Sequence, residues 1–165
     1  YLAENNPVYP DMYVKEFLAF IGSLHGFSSE NCARRIKEVI ELVGLSREQS
    51  KKIGELSKGY QQRVGIAQAI FHNPDILILD EPTAALDAIA EYELFDKFRT
   101  LTEGKMTFFV SHRFSTVQLA DRIVVLENSQ IVEVGSHQEL MTHNGLYAEM
   151  FLKQASSYKL EWNYN

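Results

Sequence analysis

The chain has 165 residues, with 16 Lys plus Arg against 22 Asp plus Glu, a formal charge of -6, and 45% hydrophobic residues. That is the length and balance of one globular domain able to bury a core. It excludes a membrane span, since no apolar run approaches the roughly 20 residues needed. It also gives no basic face for nucleic acid, because residues 1–60 are balanced in charge and the remainder is acidic.

The start, Tyr1-Leu2-Ala3-Glu4-Asn5-Asn6-Pro7, has neither the basic opening nor the apolar stretch of a signal peptide. It lacks an initiator Met, so a start inside a longer reading frame is expected. Cys32, the single cysteine, excludes an internal disulfide, fits a reducing compartment and reads as a small buried apolar residue. After Pro7 and Pro10, the spacing of Val14, Phe17, Leu18 and Ile21 predicts a short helix over 14–20. Ser28-Ser29-Glu30 opens a second, with Ala33, Ile36, Ile40 and Val43 at helical period and Gly44 as its stop. Ser46-Arg47-Glu48-Gln49 matches a capping box and predicts a third. A helix over Tyr60–His72 follows, with Tyr60, Val64, Ala67 and Phe71 on one stripe and Asn73-Pro74 ending it.

Ile76-Leu77-Ile78-Leu79 is continuously apolar, the pattern of a strand buried on both faces. A helix over 88–102 carries Ile89, Leu94, Phe98 and Leu101 and leads to a second such strand, Thr107–Val110. Leu119–Asp121 closes a short helix. Strands Ile123–Leu126 and Gln130–Val134 flank a turn at Glu127-Asn128-Ser129. Ser136-His137-Gln138-Glu139 is a capping box for a helix to about Thr142. A last helix follows Gly145 through Phe151, then a polar tail. Strands separated by such helices predict an α/β fold with a mainly parallel sheet.

The chemistry concentrates at four places. Asp80 and Glu81 stand at the carboxyl end of a buried strand, where open α/β sheets place their ligands. On a strand, neighbouring carboxylates point apart, so one can hold a hydrated Mg2+ while the other orients or deprotonates water. A plain strand exit onto an acidic helix start gives the same two residues. Upstream, Leu56-Ser57-Lys58-Gly59-Tyr60-Gln61-Gln62-Arg63 puts Ser57 and Gly59 at the mouth of what reads as an uncapped helix, an anion site by its free N–H groups and dipole. Downstream come Ala85-Leu86-Asp87 and then His112, just past a strand end.

Taken together, in this order and at these spacings, they resemble the ATP-binding-cassette (ABC) ATPases from Tyr1 to about Tyr158. Leu56–Gly59 looks like the signature motif, departing from it at Lys58 and Tyr60. Ile76–Asp80 looks like the Walker B strand, Ala85–Asp87 like the D-loop, and His112 like the switch histidine. Glu4 falls where the Q-loop glutamine usually stands. The resemblance implies Asp80 and Glu4 as metal-reaching oxygens, Glu81 as the catalytic carboxylate, and His112 as a γ-phosphate contact. Ser57, Gly59, Gln61, Asp87 and Glu4 become the nucleotide-contacting candidates. It implies ATP and Mg2+ as ligands, and a P-loop NTPase-type sheet with a helical subdomain. A second cassette docked head to tail and transmembrane permease domains would be the partners, with no nucleic acid. The location implied is cytoplasmic, against the membrane through the transporter.

No Gly-x-x-x-x-Gly-Lys-Ser/Thr occurs in these residues, so the loop that wraps the β- and γ-phosphates, and its strand, are expected to be missing from the sheet. Residues 1–80 resemble gliding-motility and ABC-2-type ATPases, whereas 82–158 resemble cassettes fused to exporter membrane helices. A recombined or assembled sequence accounts for the two blocks, and so does one lineage with mixed features. The expected organisation is a Q-loop and helical subdomain over 1–58, the Walker B, D-loop and switch-histidine part of the core over 59–155, and a tail over 156–165. The leading functional expectation is the ATP-hydrolysing part of a transporter, inactive in isolation without its phosphate loop. The alternative is a non-catalytic fragment that pairs with an intact cassette or permease.

Overall fold

In the computed structural model, Leu2 and residues 8–87, 90–95, 97 and 104–161 are described. The chain forms two compact units, Tyr1–Val110 and Ser111–Asn165. No helix among the described residues is long and apolar enough to cross a membrane.

The first unit opens on helices. Helix α1 (Val14–Leu24) buries Val14, Phe17, Leu18 and Ile21, the predicted stripe, and runs a turn past Phe20. Helix α2 (Ser29–Leu42) is capped by Ser28, whose Oγ accepts from the Asn31 N–H, and ends before Gly44 at φ 70°. Its buried face is Cys32, Val39 and Ile40. Of the predicted stripe, Ile40 and Val43 are buried and Ile36 packs on the core, whereas Ala33 is exposed and Cys32 takes its place. The capping box at Ser46 makes no helix. Gln49 Nε2 donates to the Ser46 carbonyl, and three-residue turns fill 46–50 before a 3-10 turn at Ile53–Glu55. A side chain that bonds its own backbone offers the chain an alternative to helix. Helix α3 (Lys58–Phe71) packs on α1 and α2 through Val64, Ala67, Ile70 and Phe71. Arg35 of α2 donates to the Ile70 and Phe71 carbonyls at 2.7 and 2.8 Å, tying α2 to the end of α3, where the Ile70 carbonyl also takes the Asn73 N–H at 3.0 Å.

Strand β1 (Ile76–Asp80) pairs in parallel with β2 (Met106–Val110), in the register Ile76 with Met106 and Asp80 with Val110. Leu2 lies parallel on the other edge of β1, exchanging backbone bonds of 2.9 Å with Ile78 and Asp80. This is the parallel α/β arrangement expected. The burial is not. Leu77 and Leu79 are buried, whereas Ile76 and Ile78 are 57% and 38% exposed and Met106, Phe108 and Val110 of β2 share their open face. Only one sheet face is covered here, so the apolar run conceals a strand with alternating burial. Helix α4 (90–95) connects the strands and buries Leu94 and Phe95. Ile89, Phe98 and Leu101, predicted for its core face, lie outside the described residues.

The second unit begins with the short α5 (Phe114–Val117), earlier than the helix end read at Leu119–Asp121. The antiparallel hairpin of β3 (Ile123–Glu127) and β4 (Gln130–Gly135) turns through Asn128 and Ser129, both at positive φ. Ser136 and Glu139 cap each other at the start of α6 (His137–His143). Helix α7 (Leu146–Glu161) runs on past Phe151 through most of the stretch read as tail. Its first turn is satisfied by Glu133 of β4, whose carboxylate accepts from the Leu146 and Tyr147 N–H groups at 3.0 and 2.9 Å. Ile123, Leu140 and Tyr147 form the core, against which Phe114 and Phe151 pack.

Candidate functional site

The first unit gathers three of the four predicted places. Ser57 is the N-cap of α3: its Oγ accepts from the Tyr60 N–H at 3.4 Å and its carbonyl from the Gln61 N–H at 2.9 Å. The helix is therefore capped, contrary to the sequence reading. Helix geometry still leaves the Lys58 and Gly59 N–H groups without an acceptor inside α3, so the mouth keeps two donors and the positive dipole end. Gln61 turns away from the mouth. Its amide donates to the Ile53 and Leu56 carbonyls and ties the preceding turn to the helix.

Asp80 ends β1, half-buried, with its N–H on Leu2. Glu81 does not continue the strand. Its φ is 45°, in the left-handed region a residue with a Cβ seldom takes, while its N–H still bonds the Val110 carbonyl at 2.9 Å. The backbone thus turns out of the strand between the two carboxylates, so they do not follow the alternation of an extended strand. Glu81 Oε2 is buried. Beyond Pro82 the chain makes tight turns, with the Ala84 N–H on the Glu81 carbonyl and the Leu86 N–H on that of Thr83. Thr83 Oγ1 donates to Glu91 at 2.8 Å, both side chains being buried, which pins this turn to α4. Asp87 Oδ1 accepts from the Ala90 N–H at 2.8 Å and caps α4, so one of its oxygens has a structural task.

Two contacts bring the α3 mouth against this loop. A Cβ on Gly59 would lie 2.9 Å from the Ala85 carbonyl oxygen and 3.2 Å from Leu86 Cδ2, so glycine is what lets the helix approach. Gln62, absent from the predicted site, donates to the Glu81 carbonyl at 2.8 Å and accepts from the Ala85 N–H at 2.9 Å. Its signal was available. Position 62 is four residues before Ile66, which is buried, so a glutamine there faces inward and needs partners.

His112 belongs to the second unit. It is exposed, and its carbonyl accepts from Gln154 Nε2 at 3.3 Å while Gln154 Oε1 accepts from the Phe114 N–H at 3.0 Å. The α7 glutamine thus fixes the segment that presents the histidine. Glu4 lies outside the described residues. Among these residues no group of three or more His, Cys, Asp or Glu could hold a metal alone. Asp80 and Glu81 nevertheless offer hard carboxylate oxygens, the donors that Mg2+ accepts beside water and nucleotide phosphates.

The profile of the family described as "ABC transporter" matches residues 1–84. The chain belongs to the ABC transporter family. It is 40% identical over 141 residues to the uncharacterized ABC transporter ATP-binding protein YxlF of Bacillus subtilis (strain 168), covering 85% of this chain and 48% of YxlF. It is 50% identical over 95 residues to the ATP-dependent lipid A-core flippase of Burkholderia orbicola (strain AU 1054), covering 58% of this chain and 16% of the flippase. The structure of a bacterial Atm1-family ABC exporter with ATP bound superposes with a TM-score of 0.79 and 29% identity, over 93% of this chain and 27% of the exporter. This ABC chain thus spans about half of YxlF and far less of the flippase and the exporter.

Proposed function

We propose that the chain is the part of an ABC ATPase that supplies the hydrolytic carboxylates and an anion-facing helix mouth, while the phosphate-wrapping loop comes from outside these residues. The observation that carries this reading is the packing of the α3 mouth against the loop of Glu81. Glu81 takes a proton from the attacking water, a contribution of roughly 10²–10⁴-fold. The Lys58 and Gly59 N–H groups and the Ser57 hydroxyl meet the γ-phosphate of an ATP, using the dipole of α3. By the family resemblance, His112 of the second unit is a γ-phosphate contact and Asp87 a nucleotide contact. Asp80 and, by the family resemblance, Glu4 would hold Mg2+, which would supply charge neutralisation at the phosphates.

The partners that fit are a second cassette and membrane-embedded permease domains at the cytoplasmic face. The relatives named as a flippase and an exporter, of which this chain matches only a small part, support that reading. The test is to join the chain to an ABC ATPase segment that carries the phosphate-wrapping loop. The joined protein is expected to bind MgATP and release phosphate, and the chain alone to do neither above background. Steady phosphate release by the chain alone, or a folded joined protein that ignores MgATP, contradicts the proposal.

A further inference from the structure

The loop that carries Glu81 is fastened to α3 by one side chain. Gln62 uses both ends of its amide: Nε2 donates to the Glu81 carbonyl at 2.8 Å and Oε1 accepts from the Ala85 N–H at 2.9 Å. Turning the amide over would set donor against donor and acceptor against acceptor, so only one orientation satisfies both bonds. Between the two bonds lies the segment that gives Glu81 its direction. Glu81 has φ 45°, and a residue with a side chain held in that region carries backbone strain that its surroundings must offset. Among the described residues, the Glu81 N–H bonds Val110 of β2, the Ala84 N–H bonds the Glu81 carbonyl within the turn, and Gln62 bonds that same carbonyl from α3. The last ties the loop to the helix mouth. Gly59, one turn earlier on α3, presses on Ala85 and Leu86, so the contact has two points and resists rotation.

We infer that Gln62 is a positioning residue: it locks the left-handed backbone at Glu81 and sets the carboxylate's direction relative to the α3 mouth. This rests on the reading of Glu81 as the proton acceptor. A movement of the α3 N-terminus is then felt at Glu81 directly, through one amide. A neutral, apolar side chain of the same length should break the link, and a carboxylate should break half of it. Gln62→Met removes both bonds. Gln62→Glu keeps the acceptor for Ala85 but loses the donor to Glu81.

The experiment has two readouts. In the 165-residue chain, amide hydrogen exchange at Ala85 is measured by NMR. Gln62→Met should speed it about tenfold, the loss of one hydrogen bond, and Gln62→Glu should leave it close to the parent. In the joined protein, both variants should lower kcat about 10–100-fold with the KM for ATP unchanged, because misdirection of a catalytic group affects the chemical step. Unaltered Ala85 exchange in a folded Gln62→Met variant overturns the inference. So does kcat at the parent level when Glu81→Gln abolishes turnover. If turnover survives Glu81→Gln, the reading of Glu81 fails instead, and the exchange result identifies that case because it does not depend on catalysis.

Discussion

Gly59 shows how much a single hydrogen atom decides. A methyl group at this position meets a backbone carbonyl, which cannot swing aside as a flexible side chain would. We expect Gly59→Ala to cost about 1–3 kcal/mol by overpacking, more than the gain of up to about 1 kcal/mol in helix propensity. Urea denaturation measures the net loss, and an alanine variant as stable as the parent would contradict the packing described. At this scale the places of Asp80 at a strand end and Asp87 ahead of a helix were legible, since acidic residues favour such positions. The left-handed turn at Glu81 was not legible, because a positive φ on a glutamate has no signature in residue type. Gln61 was named for the site and Gln62 passed over. Both are half-buried and both bond neighbouring backbone, Gln61 at Ile53 and Leu56 and Gln62 at Glu81 and Ala85, so residue type alone does not separate their tasks.

Among the elements, β1 tests how burial was read. Leu77 and Leu79 are buried on α3's side of the sheet while Ile78 looks outward, although all three are equally apolar. Leu79→Ala should therefore cost about 2–5 kcal/mol, and Ile78→Ala well under half of that. Equal losses would mean that both faces are covered. The capping box of α6 makes a second prediction. The Ser136 N–H, then its hydroxyl, bond Glu139 and hold its carboxyl below the usual range. Because the folded value is depressed, the contribution is fully present above the unfolded value and is lost as pH falls through the folded one. Acid should thus loosen the start of α6 in the parent but not in Glu139→Gln, as amide exchange at Leu140 and Met141 would record. A pH response that persists in Glu139→Gln would contradict it. This box was legible because Ser and Glu stand three apart ahead of Leu140. The look-alike at Ser46 failed because Gln49 Nε2 donates to the Ser46 carbonyl instead of Oε1 accepting from the Ser46 N–H.

For the molecule as a whole, the open face of the first unit matters most. Ile76, Ile78, Met106, Phe108 and Val110 line one side of β1 and β2, an apolar surface of the kind proteins cover when they can. The chain alone should bind an environment-sensitive apolar dye there, and Phe108→Lys should lower that binding without lowering the melting temperature. Unchanged dye binding would place the exposed surface elsewhere. The parallel α/β fold and the helical start were legible from periodicity. The open face was not, since four apolar residues in a row look the same whether one side or both are covered.

The central claim is that Glu81 performs the chemistry of an ABC ATPase of which this chain is a part. Its most direct test is ATP occupancy and phosphate release in the joined protein carrying Glu81→Gln, beside Asp80→Asn. The account predicts that Glu81→Gln keeps ATP bound and stops release, because the amide retains the shape but accepts no proton, whereas Asp80→Asn weakens the dependence on Mg2+. Release that continues in Glu81→Gln, or equal loss of bound ATP in both variants, would contradict it.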